Sequence, residues 1–312
     1  MTGPTRLVVV DCDTGVDDAL AIMYLARDPA CRILAVGTVD GNVAPELGAE
    51  NSLRALEAAG RRSVPVAIGA RTPLLQPSSH AEHFHGQDGL GDSGLPPPQG
   101  QPTSEGAVEQ LVRLARERPG EISLLAIGPL TNVALALGVE PALPELLAEV
   151  VVMGGAVACP GNESPSAEFN IAHDPEAAEI ALRARWRRLV LVGLDATGQA
   201  ILDQEGYDRL VESPSAEFAT RILAQQMSAN RHFELCDPLA AAIMLDPSLA
   251  TYRTLPVSVE LEGRHTRGAT IADRRITLGA GFPETRPAVE IAMAVDANRF
   301  LAEFIAHIAS SA

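Results

Sequence analysis

The chain contains no lysine; all 24 of its basic residues are arginine. A Schiff-base amine, a P-loop lysine and a lysine that steadies a phosphoryl group are therefore excluded from its chemistry. Cysteine is scarce too. Cys12, Cys31, Cys159 and Cys236 are spaced neither as a zinc site nor as a disulfide framework. No apolar run has the length of a membrane-spanning helix, so no membrane partner is expected. The opening MTGPTR lacks the basic and apolar regions of a secretion signal, and a cytoplasmic location is expected. Positive charge is in deficit, with 40 acidic residues against 24 arginines and a formal net charge of -16. Without a basic footprint for phosphates, nucleic acid is excluded as a partner, and a small neutral or cationic ligand is favoured.

Hydrophobic residues make up 46% of the 312 positions, enough for a substantial core. Apolar runs at 6–11, 32–39, 64–68, 122–127, 150–153, 189–192, 256–261 and 287–294 read as strands. Helical patterns lie between many of them, at 17–27, 45–59, 105–117, 132–137, 175–184 and 218–228. This alternation predicts an α/β fold: a mostly parallel central sheet of about eight strands, helices on both faces, open and Rossmann-like. No linker divides the chain, so residues 1–312 are read as a single domain. Residues 71–104, rich in Gly, Pro and His, are too long for an ordinary connection and read as a functional loop or lid. The hexapeptide SPSAEF occurs at 164–169 and 213–218 without a surrounding period. Its second copy reads as a helix start, with Ser213 as N-cap and Pro214 at the first helical position.

The densest chemistry lies at 11–18, DCDTGVDD, where Asp11, Asp13, Asp17 and Asp18 crowd one strand-to-helix junction, with Asp40 beyond it. Carboxylates tolerate such crowding best around a hard cation such as Ca²⁺ or Mg²⁺. Gly15 is read as the residue that permits the tight turn. Further polar clusters follow later strands: DGN at 40–42, GPLTN at 128–132, the stretch 153–170, and CDP at 236–238. In open α/β sheets ligands bind outside the carboxyl ends of the strands, so all five clusters are expected in one cleft.

Read together, these blocks resemble the inosine-uridine-preferring nucleoside hydrolase family, which cleaves the N-glycosidic bond of ribonucleosides. The matching residues are DxDxGxDDAxAI at 11–22, Gly41-Asn42, HGxDGLG at 85–91, GPLTN, MGG at 153–155, GNxxPxAEFN at 161–170 and Asp237-Pro238. The resemblance implies a Ca²⁺ held by Asp13, Asp18, the backbone carbonyl of Thr131 and Asp237. It implies sugar or base contacts from Asp17, Asn42, His85, Asn162, Glu168, Asn170 and Asp237, with Asp11 orienting the metal loop. Water activated at the ion, with Asp13 as base, would attack an anomeric carbon of oxocarbenium character, which Asp17, Glu168 and Asp237 stabilise electrostatically. Family members are commonly dimers or tetramers, so a homo-oligomer is expected.

The chain departs from the family pattern just before Asp237. Many members carry His there as the acid for the leaving base; this chain has Cys236, as one subgroup does. Cys236 and His85 are the candidate acids, with His83 and His232 as substitutes without a matching motif. Two rival readings remain at this point. VVVDCDT at 8–14 also resembles the nucleophile segment of haloacid-dehalogenase-type phosphatases, with Asp11 as nucleophile, although such enzymes usually need a later lysine. A non-catalytic nucleoside-binding protein would keep the metal loop and lose the acid.

Overall fold

A computed structural model describes residues 5–275 and 286–310. The first strand shows why the apolar runs are so plain. In β1 (Arg6–Cys12), Val8, Val10 and Cys12 enter one core and Val9 the opposite one. The same two-sided burial holds in β4 (Ile122–Ala126), β5 (Glu149–Met153) and β6 (Leu189–Val192). Leu125, Val151 and Val190 join the first core; Leu124, Val150 and Leu191 join the second. Strands covered by helices on both faces lose the polar alternation of a solvated sheet.

With β2 (Cys31–Thr38), β3 (Val66–Ile68), β9 (Ala250–Val259), β10 (Thr270–Ala272) and β11 (Ala288–Val295), these strands form a nine-stranded sheet in the order β10-β9-β11-β6-β5-β4-β1-β2-β3. From β11 to β3 every pairing is parallel. The strands β9 and β10 are antiparallel to their neighbours. The chain runs outward from β1 to β3, then crosses back so that β4 pairs with the other edge of β1. The order of travel reverses between β1 and β4, and a crevice opens at their carboxyl ends.

The expected α/β open sheet is therefore present, with three adjustments. The strand expected at 256–261 begins earlier, at Ala250. The short β10 adds a ninth strand that three residues of periodicity did not reveal. A separate antiparallel pair, β7 (Ile201–Asp203) and β8 (His232–Glu234), delivers the chain to Cys236. Ser213 does not cap a helix with its side chain; its hydroxyl donates to the carbonyl of Ala309 at 2.9 Å, and Pro214–Ala216 forms a 3-10 turn before helix Glu217–Asn230. Among the described residues no helix is long and apolar enough to cross a membrane.

Helix Val16–Arg27 is buried almost all round, which fits its near-continuous apolar sequence. It packs against helices Cys236–Leu245 and Ala297–Ala309. Tyr24 meets Phe304 at a ring separation of 6.4 Å, and Phe304 lies 6.0 Å from Phe300. Both phenylalanines are fully buried. Phe304→Ala is expected to lower unfolding stability by about 3–5 kcal/mol, read by chemical denaturation; a loss below about 1 kcal/mol would mean the C-terminal helix is not part of this core.

Candidate active site

Two helix N-termini face each other across the crevice, and each carries acids in its first turn. Asp17 and Asp18 open helix Val16–Arg27; Asp237 opens helix Cys236–Leu245. The positive end of a helix favours negative charge, so these positions hold carboxylates at low cost individually. Together they bring oxygens of Asp17, Asp18 and Asp237 within 4.8 Å of one another. Asp18 is anchored by the turn it belongs to. Its Oδ2 accepts from the amide of Gly15 at 2.8 Å and from Asn42 Nδ2 at 3.2 Å, and its Oδ1 accepts from the amide of Asp13 at 3.2 Å. Asp13 adjoins this trio: its Oδ2 accepts from the Asn42 amide at 2.6 Å.

Glycine serves close approach here. Gly15 has an ordinary backbone conformation, with φ of -87°, so the turn itself does not demand it. A Cβ at Gly15 would instead stand 2.6 Å from His85 Nδ1 and 2.9 Å from Asn42 Nδ2. Gly41 is required in the same way, because its Cβ would strike the Asp13 carboxylate.

Among the described residues no cationic side chain pairs with these carboxylates, and the consequence is visible in their protonation. Burial, then the charge of Asp18, pushes Asp17 up to about 8 and Asp13 well above the usual carboxylate range. Burial raises Asp18, and burial with Asp17 and Asp18 raises Asp237 strongly. Asp13 Oδ1 and Asp17 Oδ1 are buried without a hydrogen-bond partner. Orphaned acceptors beside mutually repelling carboxylates are what a hard divalent cation satisfies, so the donor set fits one.

From this floor a cavity of about 380 Å³ opens upward. Four of the five expected clusters meet there, through Asp17, Asn42, the 153–170 stretch, and Cys236 with Asp237; GPLTN at 128–132 does not line it, and only Ile127 just before it does. Glu168 caps helix Phe169–His173, accepting from the amides of Asn170 and Ile171, and its Oε2 also accepts from Gly155 at 2.9 Å. Burial still raises its pKa. Asn170 Nδ2 donates to the carbonyls of Ile127 and Met153 at 2.8 and 3.2 Å, which ties the ends of β4 and β5 together. Asn162 is exposed, with Oδ1 accepting from the Phe169 amide at 2.9 Å.

The mouth of the cavity is made by residues of the long loop, of helix Glu217–Asn230 and of β8. Phe84 and Phe233 lie 6.1 Å apart, with His83, His232, Gln226 and Asn230 around them. His85 is buried, and its Nδ1 accepts from the Val16 amide at 3.2 Å, which leaves the proton on Nε2. Burial, with His83 nearby, holds the imidazole down to about 3, so it is neutral at physiological pH. Burial and the charge of Asp17 push the Cys236 thiol well above its ordinary value.

Asp17, Asn42, His85, Asn162, Glu168, Asn170, Cys236 and Asp237 thus line one cavity, as do His83 and His232. Thr131 does not; it is buried at the start of helix Thr131–Val139, with its hydroxyl donating to Asp174 at 2.7 Å. Asp11 does not either. It is 4% exposed, its Oδ1 accepts from Asn132 Nδ2 at 2.7 Å, and burial raises its pKa to about 7. Set off the cavity lining and bonded to Asn132, Asp11 lends the phosphatase reading no support. Sequence reasoning missed the aromatic pair Phe84 and Phe233, since neither sits in a motif block and only the folded loop brings them together.

The comparisons with known proteins agree with this geometry. The model of the family described as inosine-uridine preferring nucleoside hydrolase matches residues 8–302. A probable uridine nucleosidase 2 of Arabidopsis thaliana is 34% identical over 307 residues, 95% of each chain. The solved plant nucleoside hydrolase PpNRh1 has a TM-score of 0.90 at 30% identity, covering 98% of this chain and 100% of its own. A purine-preferring ribonucleoside hydrolase from Gardnerella vaginalis has a TM-score of 0.89 at 29% identity, covering 97% of this chain and 98% of its own. Family, fold and an aspartate cluster able to hold a divalent cation converge, and the chain belongs to the inosine-uridine preferring nucleoside hydrolase family, as a glycosidase of the ribonucleoside hydrolase type.

Proposed function

We propose that a single catalytic domain, with residues 71–104 as its lid, hydrolyses ribonucleosides to ribose and free base in a Ca²⁺-dependent reaction. The observation that carries this is the carboxylate floor: three aspartate oxygens within 4.8 Å of one another, and partnerless buried oxygens on Asp13 and Asp17, at the base of a cavity that takes a small molecule. Asp13, Asp18, Asp237 and the Thr131 carbonyl are the proposed ligands, and the geometry adds Asp17 to the candidates. When bound, a divalent cation polarises water and anchors vicinal hydroxyls.

The chain's own residues do the rest. Asp13, which adjoins the Asp17, Asp18 and Asp237 oxygens, takes the proton of the attacking water. Asn162 has its carbonyl engaged and offers an amide donor; Asn170 has its amide engaged and offers an acceptor. Such a pair reads both roles of a sugar hydroxyl. Asp17, Glu168 and Asp237 place negative charge where a ribosyl cation develops. The planar base lies against the Phe84 and Phe233 pair, within reach of His83, His232 and Asn230. Neither candidate acid is a strong proton source: the Cys236 thiol is held protonated and His85 is held neutral. His85 Nε2–H serves as a hydrogen-bond donor, and Cys236 packs the floor. Relatives are named both for uridine and for purines, so base preference is set by this mouth and not by the family frame.

Turnover of a purine and pyrimidine ribonucleoside panel, followed as reducing sugar with and without a calcium chelator, tests the reading. Ribose release that persists after full chelation would refute metal dependence. Asp13→Ala should abolish release, and Asp237→Asn should also lose calcium binding by calorimetry. Cys236→Ala should keep kcat within about threefold, whereas removing a true general acid costs about 10²–10⁴-fold.

The protonation pattern gives a stability test. In chelator the native floor keeps protons that the unfolded chain has lost, between the ordinary carboxylate pKa of 3.8 and about 8 for Asp17. The native state then binds more protons, so stability falls as pH rises through that window. The melting temperature in chelator should drop from pH 5 to pH 8, and the gain on adding calcium should grow over the same range. A calcium-induced gain independent of pH would contradict the buried-carboxylate account.

A further inference from the structure

Asp40, His80 and His173 do not line the cavity, yet each stands one to three residues from a residue that does: Asn42, Ala81 and Asn170. Asp40 is buried at the end of β2, with both oxygens engaged. Oδ1 meets His80 Nε2 at 3.0 Å, and Oδ2 meets His173 Nε2 at 3.1 Å. An ionised carboxylate only accepts, so both imidazoles present Nε2–H to it. Burial alone would raise the Asp40 pKa, but the bonds from His173 and His80 hold it below the usual range, so it is charged. No part of the proposed hydrolytic chemistry uses this trio.

Its position explains how the lid is held. Residues 71–80 form neither helix nor strand. They are stitched to the site-bearing helix Phe169–His173 and to Asp174 by a few bonds: the Leu74 amide to Asp174 Oδ2 at 2.9 Å, and Gln76 Nε2 to the Ala172 carbonyl at 2.8 Å. The next anchor is His80 on Asp40. Directly after it the Ala81 amide donates to the Asn42 carbonyl at 3.0 Å, and helix Glu82–His85 carries Phe84 and His85 into the cavity.

We propose that Asp40 is a two-armed clamp which, through His80 and His173, fixes the lid segment against the helix that bears Glu168 and Asn170, and so positions Phe84 and His85 for the substrate. The arms are unequal. The His173 side chain is 2% exposed and belongs to the interior, whereas that of His80 is 30% exposed and holds only the lid. The outer arm is therefore separable from the fold. All three are positioning residues, and the kinetic half of the proposal rests on the nucleoside-hydrolase reading.

The test uses the full chain with calcium, His80→Ala and His80→Gln, the second returning a side-chain N–H toward Asp40. In His80→Ala the KM for a nucleoside that the wild type turns over should rise about tenfold, as expected if the lid is correctly placed in about a tenth of molecules. The kcat should stay within about twofold, because the bond contributes equally to ground and transition states. Amide hydrogen exchange at Ala81 and His85 should quicken by about tenfold with the melting temperature unchanged, and His80→Gln should restore most of both. An unchanged KM overturns the positioning role; a joint fall in kcat and melting temperature without rescue by Gln reduces the trio to ordinary structural support. Should the wild type turn over no nucleoside, the functional reading fails separately, and unaltered exchange at Ala81 and His85 alone overturns the clamp.

Discussion

Electrostatic frustration organises this molecule. Four carboxylates, Asp13, Asp17, Asp18 and Asp237, share a floor with no cationic side chain among the described residues to offset them. Each is locally reasonable, since helix ends and backbone amides favour anions. Their sum is not reasonable without either protons or a metal ion. A fold that holds this arrangement rigidly stores selectivity for a small, hard, doubly charged guest, because only such an ion relieves several oxygens at once.

Rigidity comes from the frame. The helix that carries Asp17 and Asp18 in its first turn is apolar on nearly every side and is enclosed by helices Pro45–Ala58, Cys236–Leu245 and Ala297–Ala309 and by the sheet. The helix that begins with Asp237 packs directly against it. Strands β1 and β4 flank the point where the chain reverses its direction of travel across the sheet. Acids placed at that crevice cannot drift apart to ease their repulsion, since moving either helix would open the core.

Much of this was legible in the letters. Doubly buried strands read as unbroken apolar runs, so eight of the nine strands of the sheet could be placed; β10, three residues long and at the sheet edge, left no such trace. The acid-rich junction and the blocks at strand ends were legible because both are local in sequence. The reason for Gly15 was not: its glycine is demanded by His85, seventy positions away, and not by its own torsion angles. Nor could spacing show that Asp17 shares the floor with Asp237, or that Asp40 sits between two histidines from separate segments. Convergences of this kind depend on how a long irregular loop lies down, and periodicity carries no information about that.

The bond between the Val16 amide and His85 Nδ1 has a consequence of its own. The first turn of a helix exposes N–H groups that its own backbone cannot satisfy. Here an imidazole from the distant loop plugs one of them. Were that loop to swing aside, the helix whose next two residues are Asp17 and Asp18 would lose this partner at its first turn. The rim of the cavity and the acidic turn at its base thus share one hydrogen bond, so the place of the loop and the capping of that helix are a single structural fact.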